Sequence, residues 1–184
     1  MQAPNALRNA PLLLGASLAL LSGCATAPPT RAGREDLRES AMDALRGMES
    51  SDPSLTGFLR SSAGYAVFPD VGKGGYIVGG GYGRGLVYRG GAEIGFADIT
   101  QGSIGLQAGG QSYMEVLAFQ RQRDLDRFTA GGLAFGASLS AVILKTGAAA
   151  AAPYTNGVAV FVKPIAGAMI EAAVGGQQFT YRPE

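Results

Sequence analysis

Gly74-Gly75-Tyr76-Ile77-Val78-Gly79-Gly80-Gly81-Tyr82-Gly83-Arg84-Gly85-Leu86-Val87-Tyr88-Arg89 decides the fold class of this chain. Its residues change character at every second position, the period of a β-strand rather than a helix. Gly74 to Tyr82 and Leu86 to Arg89 read as a hairpin that turns through Gly83-Arg84-Gly85. Tyr76, Val78 and Tyr82 project to one side, while Gly79, Gly81 and Gly83 leave the other nearly bare. Glycine inside a strand costs roughly 0.5–1 kcal/mol relative to alanine, so a bare face needs a reason. Two reasons stand open for Gly74, Gly79, Gly81 and Gly83: tight curvature with close packing of another element, or room for a ligand chain.

Outward from this stretch the period of two persists. Tyr65 to Phe68 reads as a short strand ended by Pro69-Asp70, and Glu93–Thr100, Ser103–Ala108 and Ser112–Gln120 follow the hairpin. Leu133–Ile143, Gly157–Val162, Met169–Val174 and Gln178–Arg182 complete the strands, with Arg123 to Phe128 interrupting them as a short helix. On the N-terminal side the period is helical. Leu37, Ala41, Ala44, Leu45 and Met48 share one face between Arg34 and Met48, and Asp52-Pro53 starts a second helix whose inward side is Leu55, Phe58 and Leu59. The expected class is α+β, mainly antiparallel β: a curved, Gly-rich sheet or small barrel-like body with two N-terminal helices packed against it.

The N-terminus is a targeting segment. Arg8 precedes the apolar stretch Pro11–Leu21, which is shorter than the roughly 20 residues a bilayer span needs and suits a signal peptide. It ends in Leu21-Ser22-Gly23-Cys24, which resembles a lipobox with Cys24 as the acceptor of diacylglycerol and acyl groups such as palmitate. The expected organisation is therefore a signal peptide over 1–23, a lipidated flexible tether over 24–33, and a single domain over 34–184. Cys24 is the one cysteine, so the mature fold holds no internal disulfide. Ala25 rather than aspartate follows it, which by lipoprotein sorting logic implies the outer membrane, facing the periplasm.

Composition narrows the chemistry. With 15 basic and 14 acidic residues there is no global basic field, so nucleic acid is not an expected partner. Histidine is absent, which removes serine–histidine and cysteine–histidine catalysis. Outside the first helix no tight acidic cluster has calcium-loop spacing, and the glycine runs match neither the phosphate loop nor the dinucleotide fingerprint. The expectation is a protein that is not an enzyme and needs no metal or cofactor. Leu133–Ala152 carries one charge, Lys145, but a central lysine costs roughly 2.5–3.5 kcal/mol in a bilayer, which argues against a spanning helix. An outer-membrane barrel conflicts with the lipobox and with the apolar character of both faces of Ser112–Gln120.

The lysines Lys73, Lys145 and Lys163 each lie in or beside a turn. Gathered at one end of the sheet, with Arg84 and Arg89 as additions, they make an anion site for lipid headgroups; the competing reading is solvated loop lysines. Glu171 stands alone in an apolar strand, either as a buried hydrogen-bond partner or facing outward.

Four blocks carry a family resemblance: Ser62 to Pro69, Val71 to Tyr76, Gly80 to Gly83, and Glu171-Ala172-Ala173-Val174-Gly175-Gly176-Gln177-Gln178-Phe179. Together they resemble the SYLF domain over residues 35–182. The resemblance implies lipid binding, since the family occurs in bacterial lipoproteins and in eukaryotic membrane-trafficking and actin-associated proteins. Eukaryotic members bind phosphoinositides partly through a basic N-terminal helix. Here Arg34, Arg38 and Arg46 are outnumbered by Glu35, Asp36, Glu39, Asp43 and Glu49, so that feature is not matched. The expected function is an envelope lipoprotein whose domain binds membrane phospholipid or a related amphiphile. The alternative is a scaffold that contacts another, unidentified envelope protein and meets the membrane only through Cys24.

Overall fold

A computed structural model describes residues 26–74, 78–104, 111–131, 134–135, 141–166 and 176–184. Thr30 opens the first helix, α1 (Arg31–Ser51), its hydroxyl accepting a hydrogen bond from the Gly33 amide at 3.1 Å. Ala41, Ala44 and Met48 are buried on its apolar face. α1 thus begins one turn earlier than the apolar periodicity alone indicates, inside the stretch read as a tether, because the capping signal lies upstream of the first apolar residue. α2 (Ser54–Ser61) follows and buries Leu55 and Leu59. Pro53 occupies its cap position, yet the Asp52 carboxylate does the capping, accepting from the Ser54 amide at 3.1 Å.

The strands are β1 (Gly64–Gly74), β2 (Val78–Arg89), β3 (Ala92–Ile104), β4 (Gln111–Phe119), β5 (Ala134–Phe135), β6 (Val142–Ile143), β7 (Val158–Ala166) and β8 (Gln177–Pro183), with α3 (Gln122–Thr129) after β4. They form one sheet in the order β5-β8-β3-β2-β1-β4-β7-β6, antiparallel except where β6 lies beside β7. The fold is α+β with a curved, mainly antiparallel sheet, as the period-two pattern indicates.

Several boundaries differ from the sequence reading. Gly83-Arg84-Gly85 is not a turn: β2 passes straight through it, paired with β1 and β3. The reversal instead falls at Gly90-Gly91, whose φ values of 57° and 84° only glycine adopts easily, the requirement of a tight two-residue hairpin. β1 does not stop at Pro69-Asp70 but absorbs them in a bulge between Val67 and Val71, a place where proline's missing N–H is tolerated. The two strands expected over Glu93–Thr100 and from Ser103 are one, β3, because Gln101 and Gly102 keep the pairing with β2. Within Leu133–Ile143 the described strands β5 and β6 lie on opposite edges of the sheet. The expected strand Met169–Val174, with Glu171, lies outside the described residues.

The sheet is strongly curled. β4 and β8 are four positions apart, about 19 Å in a flat sheet. Yet Gln177 Nε2 on β8 donates to Glu115 Oε2 on β4 at 2.8 Å, and the rings of Phe68 on β1 and Phe179 on β8 lie 5.7 Å apart. The inner side of the curl buries Phe68, Ile99, Leu117, Val160 and Phe179, closed at one end by Leu125 and Phe128 of α3. On the outer side α1 and α2 pack over Val67, Leu86, Val116 and Phe161.

Curvature also explains the glycine face where its surroundings are described. A Cβ on Gly83 would lie 2.9 Å from Val71 Cγ2 and 3.0 Å from Ile99 Cγ2; one on Gly85 would lie 2.7 Å from the Phe68 ring. Neighbouring side chains therefore fill the space beneath Gly83, and no ligand chain fits there. The surroundings of Gly74 and Gly79 lie outside the described residues, while Gly81 is half-buried. No helix among the described residues is long and apolar enough to cross a membrane.

Candidate functional site

β6 and β7 run parallel at one edge of the sheet, Ile143 opposite Val162, and β6 is held by the Leu144 amide donating to the Val162 carbonyl at 2.9 Å. Ile143 is 50% exposed and Ile165 49%. Lys145 and Pro164 beside them are exposed as well. On or just beyond these two strands, Ile143, Ile165 and Lys145 are each exposed to solvent.

The other basic residues expected to bind headgroups are placed differently. Lys163 is half-buried and its ammonium donates to the Gly47 carbonyl of α1 at 2.8 Å, tying β7 to the helix. Arg84 lies on the outer face, its guanidinium 3.3 Å from Asp98 and stacked over the Tyr82 ring at 5.9 Å. Arg84 also lines a cleft of about 500 Å³ between α1 and the β1 bulge, shared with Asp43 and Asp70. Two carboxylates against one guanidinium make that cleft unsuited to an anionic headgroup. Arg89 pairs with Asp126 at 3.1 Å. The backbone of Lys73, paired with Gln111 at the far end of β1, lies toward the end of the sheet where β7 finishes. Its side chain and Cys24 lie outside the described residues. Among the described side chains of the expected set, Lys145 and Arg89 are exposed, and Arg89 is paired with Asp126.

Three arrangements escaped the sequence reading. The first is the N-terminal segment: Ala27 is only 4% exposed, and Pro28 is buried, its carbonyl accepting from Arg34 at 3.1 Å. Thr26 Oγ1 lies 3.3 Å from Thr180 Oγ1 on β8, and its hydroxyl also bonds Asp98 on β3. Burial pushes the Asp98 carboxyl up, and the bonds from Tyr82, Arg84 and Thr26 only partly offset this. The stretch read as a flexible tether is therefore seated on the sheet from Thr26 onward. Small residues and prolines carry no periodicity, so the pattern holds no signal for this.

The second is the reach of Asp52, expected only as the cap of α2, to the segment around Gly147 and Ala149. Its carboxylate accepts from Ser54 Oγ at 2.6 Å, the Gly147 amide at 3.0 Å and the Ala149 amide at 2.6 Å, as well as from the Ser54 amide. Burial works to raise its pKa, but these bonds outweigh burial and hold the carboxyl below the usual carboxylate range. One side chain thereby caps both α2 and the 3-10 turn Ala149–Ala151.

The third is a buried polar group inside the curl. Tyr113 OH donates to Gln101 Oε1 at 2.8 Å, beside the Gln177–Glu115 bond, and burial drives the Tyr113 phenol far above its ordinary pKa. Glu115, alone among Tyr113, Met114, Val116 and Leu117, was the available signal for it. A further cleft of about 460 Å³ opens between α1, α2 and the start of β1, lined by Leu45, Glu49, Arg60 and Tyr65. No group of His, Cys, Asp and Glu among the described residues is arranged to hold a metal ion.

Comparison with known families gives a match over part of the chain. Residues 100–183 fit the family described as Ysc84, Las17-binding protein actin regulator, which is the SYLF domain family. The matched span runs from the end of β3 to β8 and holds the Tyr113–Glu115–Gln177 group and the β6–β7 corner. No curated protein matches the chain.

Proposed function

We propose, taking the SYLF-type segment over residues 100–183 as the premise, that this protein is a non-catalytic lipoprotein whose domain binds phospholipid or a related amphiphile at the β6–β7 corner. Cys24 carries the acyl groups that hold it on the outer membrane, facing the periplasm. The observation that carries the reading is the exposure of Ile143 on β6, of Ile165 on β7 and of Lys145 just after β6. Apolar side chains at the headgroup boundary lose contact with water on shallow insertion, each fully buried one contributing roughly 1.5–3 kcal/mol. A cation near an anionic surface adds about 1 kcal/mol, weakened by salt.

The test is co-sedimentation of the chain from Ala25 onward with zwitterionic and anionic vesicles at two salt concentrations. Salt-sensitive binding to anionic vesicles is expected, reduced about fivefold by Lys145→Ala, the equivalent of about 1 kcal/mol. Indifference to every vesicle composition rules the reading out.

A second reading draws on the family's description, which names a protein partner and actin regulation. On that reading the domain is a scaffold that contacts another envelope protein and uses the membrane only through Cys24. A defined protein adduct on cross-linking, without vesicle binding, favours it.

A further inference from the structure

We infer that residues 26–30 act as a strap, and that the strap seats the exposed outer face of β8, with the Thr100 end of β3, on the bilayer surface that holds the Cys24 lipid; this rests on the lipoprotein reading above. Each residue of extended chain spans at most about 3.6 Å, so two residues place Cys24 Cα within about 7 Å of Thr26 Cα. Thr26 is itself fixed to the sheet through Thr180 and Asp98. Ala27 and Pro28 are buried, and Arg34 holds the Pro28 carbonyl. A lipid on Cys24 therefore brings Thr26 to headgroup level, and the sheet beneath Thr26 comes with it.

The face presented there has suitable chemistry. α1 packs over β1, β2 and β4, and its Arg38 bonds Glu93 and lies over the Phe96 ring of β3, so the outer face left open is that of β8 with the Thr100 end of β3. Thr100, Gln178, Thr180 and Arg182 are exposed on it, and Tyr82 is 41% exposed. Hydroxyls, an amide, a guanidinium and a tyrosine ring match a headgroup layer, where tyrosine rings concentrate, and are too polar for hydrocarbon. The occupant is the bilayer surface, because the chain outside the described fold leads to a lipid attachment point only two residues away.

The test supplies the anchor chemically. All the described elements lie in 26–184, so a chain beginning at Cys24 carries every one of them, and its thiol is coupled to a maleimide phospholipid in vesicles. The chain has no tryptophan, so Gln178→Trp and Arg123→Trp each install a single fluorescent reporter and leave the Thr26–Thr180 contact intact. Arg123 is exposed on α3, which closes one end of the inner side of the curl. Brominated phospholipid in the vesicles is expected to quench the Gln178→Trp reporter several-fold more than the Arg123→Trp reporter. A flexible Gly-Ser linker between Cys24 and Ala25 should erase that difference. Equal quenching of both reporters, or a difference that survives the linker, overturns the strap. Native lipidation is read separately from the mass of the N-terminal peptide isolated from membranes. A peptide without acyl groups removes the lipoprotein reading and with it the role of the strap, while the coupled-chain result still reports the geometry.

Discussion

The two sides of the sheet are filled by different means. Inside the curl, strands pack against strands that are distant in sheet order, as Phe68 does against Phe179. On the outside, separate helices are laid over the strands and secured at their margins by polar bonds, from Lys163 to the Gly47 carbonyl and from the Gly147 and Ala149 amides to Asp52. The inner packing is fixed by the ladder hydrogen bonds, whereas a helix can shift to follow a change beneath it. The inner side should therefore be rigid and the outer side adjustable.

The largest expected effect tests that contrast directly. Phe68→Ala and Phe161→Ala both delete a fully buried ring, one on each side. Large-to-small changes of this kind cost about 3–5 kcal/mol, more where the surroundings cannot collapse. Phe68→Ala should fall at the upper end and Phe161→Ala at the lower, measured by urea unfolding. Equal losses, or the reverse order, would break the comparison.

The acid response of the outer side comes next. Asp52→Asn keeps the shape but sets an amide group against backbone donors, at a cost of about 1–3 kcal/mol at neutral pH. Because the folded-state pKa of Asp52 is depressed, its contribution is present above the unfolded value and is lost as pH falls through the folded one. The gap between the native protein and Asp52→Asn should therefore be full at pH 7 and should shrink below about pH 4. A gap independent of pH would mean that the charge of Asp52 contributes nothing. Asp98, whose pKa is raised chiefly by burial, acts in the opposite sense and is favoured by acidification.

This contrast between sides was only partly visible in the sequence. Local signals carried the helices, since Ala41, Ala44 and Met48 recur at helical spacing, and the SYLF blocks pointed to the family that residues 100–183 match. The run Gly83-Arg84-Gly85 satisfies both a turn and a strand, and what decides between them is Phe68 on another strand, pressed against Gly85. Such contacts have no local trace. The same holds for Lys163, read as a headgroup ligand because it stands beside a turn, while the carbonyl it reaches belongs to Gly47 in α1. Lys145 differs only in being exposed beside its turn, a placement that needed no distant partner.

The smallest effect sharpens the account of how the outer layer is held. Lys163→Met preserves most of the aliphatic stem over β7 but removes the donor to the Gly47 carbonyl. Gly47 sits in the last turns of α1, where a cation also interacts favourably with the helix dipole. The combined loss should be about 1 kcal/mol, since the ammonium is only half-buried and water can replace it. Hydrogen exchange separates this from a general loss of stability. Amides in the last turns of α1 should exchange faster in Lys163→Met while those of β1 and β4 keep their protection, because only the helix margin is released. Uniform acceleration across the sheet would show that the outer helix and the inner curl unfold as one unit, and the distinction between an adjustable side and a rigid one would have to be given up.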